Sequence, residues 1–206
     1  LISRVLFPLV PRELYRKHLT LEEKLKNDLV EETFKHFKEH LKKSMLFKDV
    51  GQLREYAIKT ALNDGFNKNY YFLEFGVWKG ESANYFSNYC DKLYCFDSFE
   101  GLKEDWTGTF MPKGSFNLNK KLPKLNDNIE VIVGWVEDTL DDFLKKHNPK
   151  IKFVHLDMDT YSPTKFVLKK IKPYLVKDAI IVFDEFYNYI GWQNGEYKAL
   201  KEIFKE

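Results

Sequence analysis

Four acidic side chains stand in two tight groups, Asp157-Met158-Asp159 and the adjacent pair Asp184-Glu185, and each group follows a short apolar run. Carboxylates this close repel one another, so either some are protonated or a cation lies among them. The ligands on offer are oxygens, which suit a hard divalent ion: Mg2+ first, with Mn2+ or Ca2+ as alternatives. Such an ion could hold a substrate hydroxyl and lower its pKa, with Asp157 or Asp159 taking the proton. The competing reading is that these acids only cap the helix and the turn after each strand. His155, one residue inside its apolar run, reads as a packed or hydrogen-bonded histidine rather than a base.

A second chemical feature is the run Tyr70 to Gly80, an apolar stretch ending in Glu74, Gly76 and Gly80 before a helical pattern. It reads as a buried parallel strand that turns sharply into a helix. Gly76 and Gly80 would let the backbone approach a ligand. A carboxylate at the strand's carboxyl end would repel a pyrophosphate and welcome an ammonium, so Glu74 favours S-adenosylmethionine over a dinucleotide. Ser82, in the helix that follows, joins the candidate cofactor contacts. Asp97 ends a second strand and could accept both ribose hydroxyls, or merely cap the next turn. Trp135 or Val136 could lie against an adenine ring and Glu137 could approach its amino group, unless Trp135 only plugs the end of the sheet.

These residues need a frame that brings strand ends together. Residues 1–17 contain Pro8 and Pro11 without a clear period and read as an extended arm. Thr20-Leu21-Glu22-Glu23 is a capping box, and Leu25, Leu29 or Val30, Phe34, Phe37 and Leu41 repeat at helical spacing, predicting an amphipathic helix over 21–44. A second helix is expected over 49–63, capped by Asp49 and ended at Gly65. Apolar runs at 70–75, 92–96, 129–133, 152–156 and 179–183 alternate with helical patterns at 81–89, 139–147, 162–175 and 196–205, with Asp138 and Ser162 as expected caps. That alternation predicts an α/β sandwich: a mostly parallel, Rossmann-like sheet with right-handed crossovers and helices on both faces. The long stretch over about 102–128, rich in Gly, Pro, Asn and Lys but carrying Trp106, Phe110, Met111 and Phe116, reads as a lid. The organisation expected is an arm and helix over 1–48, then a cofactor-binding domain over 49–206.

Composition narrows the classes. With 33 basic and 31 acidic residues the net charge is +2, the signs are interspersed, and no basic stripe speaks for nucleic acid. No apolar run is long enough to span a bilayer and no signal-peptide pattern opens the chain, which begins at Leu1. Cys90 and Cys95, the only cysteines, lack metal-ligand spacing, so a reducing cytoplasmic location is expected. The expected partner is a small hydroxylated, sugar-like substrate, and a homo-oligomer remains open.

Five ordered strings resemble the macrocin O-methyltransferase family: Leu73-Glu74-Phe75-Gly76-Val77, Phe96-Asp97-Ser98-Phe99-Glu100-Gly101-Leu102, Val133-Gly134-Trp135-Val136-Glu137-Asp138-Thr139-Leu140, His155-Leu156-Asp157-Met158-Asp159-Thr160-Tyr161 and Val182-Phe183-Asp184-Glu185-Phe186. The resemblance spans residues 49 to the end. It implies a class I, S-adenosylmethionine-dependent and typically magnesium-dependent methyltransferase acting on a sugar or other polyol hydroxyl. By position it implies magnesium on Asp157, Asp184 and Glu185, a base at Asp157 or Asp159, and cofactor contacts at Glu74, Gly76, Asp97 and Ser98. Glu185 stands where relatives often carry aspartate, and the antiparallel strand pair that usually closes such a sheet is missing before Glu206. The alternatives are a cofactor-binding or oligomeric module without turnover and a nicotinamide-dependent dehydrogenase. Against the dehydrogenase stand the acid in the turn and the absent Gly-x-Gly-x-x-Gly.

Overall fold

The protein is represented by a computed structural model that describes residues 20–62 and 69–205. The expected arm and the expected helix stop at Gly65 lie outside these residues. The chain divides into two compact units, residues 1–44 and 45–206.

Helix α1 (Leu21–Leu41) forms in the first unit, three residues shorter than expected. Its capping box is present: the Glu23 amide donates to Thr20 Oγ1 (3.1 Å), and the Thr20 amide donates to a Glu23 carboxylate oxygen (2.9 Å). Of the expected apolar stripe, Phe37 is buried whereas Leu25, Val30 and Phe34 are exposed.

In the second unit, helix α2 (Val50–Leu62) leads towards strand β1 (Tyr70–Phe75). There follow α3 (Glu81–Ser87), β2 (Leu93–Asp97), β3 (Ile129–Val133), α4 (Val136–His147), β4 (Lys150–Leu156), α5 (Tyr161–Ile171), β5 (Leu175–Phe183) and α6 (Glu196–Phe204). All pairings are parallel and the order is β3-β2-β1-β4-β5. The order reverses between β1 and β4, and in an open parallel sheet a ligand binds across the carboxyl ends at such a reversal.

Alternation along the strands divides the core into two layers. Leu73, Phe75, Phe96, Val154 and Leu156 pack with Leu140, Phe143, Val167, Leu168 and Ala199 of α4, α5 and α6. Phe72, Leu93, Cys95, Phe153 and Val182 pack on the other face with Ala57, Ile58 and Ala61 of α2 and Ala83 and Phe86 of α3. The layer against α2 and α3 also holds two fully buried polar side chains, Glu74 and His155.

Two helix starts differ from expectation. Helix α4 begins three residues earlier, at Val136 with Trp135 as N-cap, so Asp138 lies in the first turn rather than at the cap. Helix α5 begins at Tyr161 with Thr160 as N-cap, which moves Ser162 and Pro163 inside it. Pro163 costs nothing there, because the first amides of a helix have no intrahelical acceptor.

Candidate functional site

At the sheet's reversal the chain leaves β1 through Gly76 (φ 86°). A Cβ on Gly76 would lie 1.7 Å from the Asp157 carbonyl oxygen, so the glycine lets β1 and β4 meet at their carboxyl ends. Gly80 (φ 80°) caps α3, and a Cβ there would sit 2.4 Å from Leu125. Both glycines were expected to admit a ligand; the space they free is filled by the protein itself.

Asp97 shapes the turn between them. Its Oδ2 accepts from the amides of Val77 (2.7 Å) and Trp78 (2.9 Å), and its Oδ1 accepts from Phe99 (2.7 Å). Three backbone donors engage a carboxylate that the sequence reading offered to ribose hydroxyls. Ser98 is buried and its hydroxyl oxygen accepts from the Glu100 amide (3.1 Å). Val136 belongs to the core rather than to an adenine wall. Glu137 accepts from Lys103 (2.7 Å), whose ammonium also lies 4.5 Å from the Trp135 ring centre.

The stretch expected as a lid has neither helix nor strand, yet it is pinned at both ends. The Leu118 and Lys120 amides donate to the Phe99 carbonyl (3.1 Å each). Asn84 on α3 accepts from the Asn126 amide (2.8 Å) and donates to the Lys124 carbonyl (3.0 Å). Near its middle, Gly108 approaches the Ile190 carbonyl so closely that a Cβ would lie 1.6 Å away, and Trp106 meets Tyr189 edge-on. At the rim Trp78 is 42% exposed and lies edge-on to Phe116, while Phe110 is 87% exposed.

Glu74 does not open to the mouth. It is fully buried, and its Oε1 accepts from Ser82 Oγ (2.5 Å) and pairs with His155 Nδ1 (2.9 Å). Cys95 donates its thiol proton to Oε2 across 3.7 Å. Two of the expected cofactor contacts, Glu74 and Ser82, therefore face one another inside the layer of α2 and α3. On the far side of the ring, His155 Nε2 lies 3.5 Å from Asp184 Oδ1, an ion-pair distance without hydrogen-bond alignment. Arg54 of α2 reaches the same oxygen at 3.3 Å. Glu74, His155, Asp184 and Arg54 thus alternate in sign from beneath α3 to α2. Burial alone would lower the His155 pKa, but Asp184 and Glu74 outweigh it and raise it to about 10. Asp184 is held well below the usual carboxylate range, first by His155 and further by Arg54.

The remaining acids gather at the same edge. Oxygens of Asp157, Asp159 and Glu185 lie within 4.8 Å of one another, and a second set within the same distance is His155, Asp157 and Asp184. The structure therefore brings together all four acids expected at the mouth, with Asp157 common to both sets. The Asp157 amide donates to the Phe75 carbonyl (2.8 Å) and the Asp184 amide to the Leu156 carbonyl (3.0 Å), which carries the strand pairing to the site. Asp159 is only 9% exposed, stands at φ 62°, and has no hydrogen bond or ion pair among the described residues. Glu185 Oε2 is buried and also without a partner among them. Burial, with repulsion from neighbouring acids, raises Asp157 and Asp159 to about 7 and Glu185 to about 11.

Two residues here had no signal in the sequence. Arg54 sits among ordinary charged positions of an amphipathic helix, and Glu196, fully buried at the start of α6, lies outside every motif. A cleft of about 440 Å³ between Tyr71, Lys92, Tyr94, His147 and Lys150 opens at the opposite, amino edge and holds none of these acids. No described helix is long and apolar enough to cross a membrane, and Cys90 and Cys95 are free and buried.

Residues 73–186, more than half of the chain, match a family model described as "Methyltransferase domain". Among solved structures the chain is similar to CalS11, a calicheamicin methyltransferase, at 21% identity and TM-score 0.62, covering 90% of this chain and 86% of that one. A ligand-free structure of CalS11, titled a TDP-rhamnose 3'-O-methyltransferase, is similar at 20% identity and TM-score 0.55, with 90% and 87% covered. The O-methyltransferase NovP is similar at 15% identity and TM-score 0.50, with 76% and 69% covered. No curated protein matches the chain.

Proposed function

The chain belongs to the methyltransferase-domain family, and from that premise we propose that it is an S-adenosylmethionine- and divalent-metal-dependent O-methyltransferase acting on a sugar or other polyol hydroxyl. The observation that carries this reading is the convergence of Asp157, Asp159 and Glu185 at the carboxyl ends of β4 and β5, beside the sheet's reversal. The donor set fits a hard cation. It is all oxygen, Glu185 Oε2 is a buried acceptor without a donor, and Asp159 is a nearly buried carboxylate without a partner among the described residues. Asp157 would hold the ion together with Glu185 and either Asp159 or Asp184.

When bound, the ion would lower the pKa of a coordinated hydroxyl, and S-adenosylmethionine would supply the methyl group on a positively charged sulfur. The chain's own residues do the rest. Asp157 or Asp159 takes the hydroxyl proton. Asp97 holds the turn 76–78 in one shape, so the mouth is preorganised rather than assembled on binding. Gly76, Gly80, Ser98 and Trp135 would hold the cofactor at the carboxyl ends of the strands, while the hydrogen-bonded pair Glu74 and Ser82 would support them from within the layer of α2 and α3. Exposed Trp78 and Phe110, with half-buried Phe116, offer aromatic faces of the kind that pack on sugar rings, and the sugar class follows CalS11, a TDP-rhamnose 3'-O-methyltransferase.

The test is incubation of the full chain with methyl-labelled S-adenosylmethionine and a panel of nucleotide sugars, free sugars and phenols, with Mg2+ or with chelator. Mass spectrometry should find label on a sugar or polyol hydroxyl only when Mg2+ is present. Failure to bind S-adenosylmethionine, with or without Mg2+, would end the reading.

A further inference from the structure

Glu196 is the first residue of α6 and is fully buried. Its Oε2 accepts from the Glu185 amide at 3.3 Å. Its Oε1 lies 3.5 Å from the Thr164 hydroxyl, but that hydroxyl has one proton and sits 2.8 Å from the Thr160 carbonyl. The side chain therefore has a single firm donor, a backbone amide, and burial first, then repulsion from Asp157 and Asp159, raises its pKa well above the usual carboxylate range. The charged form of a buried acid with so few donors is costly, so the group takes up a proton unless a cation compensates it.

The segment that presents Glu196 is closely packed. A short 3-10 turn, Trp192–Asn194, follows Gly191 (φ 84°), and Trp192 is fully buried with its ring edge-on to Tyr197 at 4.9 Å. Gly195 precedes Glu196, and a Cβ there would lie 2.0 Å from Tyr189 Oη. The side chain is thus delivered beneath Glu185 by a tight turn. Glu185 Oε2 is buried without a hydrogen-bond partner among the described residues, and oxygens of Glu185, Asp157 and Asp159 lie within 4.8 Å of one another.

We propose that Glu196 is a positioning residue of the cation site: it fixes the Glu185 backbone, and its charge strengthens the field that draws a divalent cation to Asp157, Asp159 and Glu185. This rests on the metal dependence proposed above. If Glu196 only satisfied the Glu185 amide, glutamine would serve equally well, because its amide oxygen accepts the same bond.

The experiment is calorimetric titration of Mn2+ into the chelator-stripped full chain, for wild type, Glu196→Gln and Glu196→Ala, with thermal unfolding in the presence and absence of Mn2+. Glu196→Gln should fold and bind Mn2+ about 10-fold more weakly, and Glu196→Ala towards 100-fold more weakly, the range expected for residues that support metal ligands. The rise in Tm on adding Mn2+ should shrink in the same order. A Glu196→Gln protein that binds within about twofold of wild type, or that no longer folds, overturns the role given to Glu196. A wild-type protein that binds no Mn2+ removes the metal reading itself, and with it this role.

Discussion

Glu74 and Asp184, which pair with the chain's own cations, and Asp157, Asp159, Glu185 and Glu196, which do not, are the same two residue types under opposite electrostatic regimes. Glu74 and Asp184 alternate with His155 and Arg54, so each buried or half-buried carboxylate has a cation of the chain's own within 3.5 Å. Among the described residues the second group makes no ion pair, and although His155 lies within 4.8 Å of Asp157 and offsets part of the rise, its acids are pushed upward rather than held down. Where the chain supplies its own positive charge, the acids serve the scaffold. Where it withholds that charge, the acids are left for something from outside.

The contrast can be broken from either side. Asp157→Asn, at the centre of the uncompensated group, should reduce methyl transfer at least 1000-fold, since metal-assisted activation contributes on the order of 4 kcal/mol; labelled-cofactor assays would read it. Glu74→Gln acts on the compensated side. It removes the carboxylate from a fully buried ion pair and should cost about 3 kcal/mol, read as a fall in Tm of roughly 6–12 °C, while Mn2+ binding persists. Arg54→Gln strikes the partly exposed end of the same chain and should cost only about 1 kcal/mol. The smallest effect concerns Cys95. Burial first, and then the Glu74 charge, raise its thiol pKa, so at pH 8 it should hold less thiolate than a free cysteine and resist iodoacetamide in the native protein. Mass spectrometry should show labelling only after denaturation, or sooner in Glu74→Gln.

The sequence displayed the sheet well, because each strand is a short apolar run ended by an acid or a glycine, and that periodicity is local. The grouping of Asp157, Asp159, Asp184 and Glu185 was legible for the same reason: residues just past adjacent parallel strands share an edge. What was not legible is which acids are compensated. Arg54 lies 130 positions before Asp184, and only the packing of α2 beside β5 makes them partners. Glu74 was read as facing a ligand because it ends near the turn, but strand alternation points it into the layer of α2 and α3 beside Cys95 and His155. Asp97 was read as a ribose acceptor or a turn cap, and the choice was not legible because its three backbone donors come from residues whose turn geometry a sequence does not display. Glu196 carried no mark at all.

The central claim is that Asp157 and Glu185, with Asp159 or Asp184, hold a divalent ion, whereas the internally paired Glu74 does not. Mn2+ titration of the metal-stripped chain, with Asp157→Asn and Arg54→Gln measured alongside, tests it most directly. The account predicts saturable binding that Asp157→Asn abolishes and Arg54→Gln leaves within about threefold of wild type. Absence of saturable binding in the wild type, or binding that survives Asp157→Asn, would contradict it.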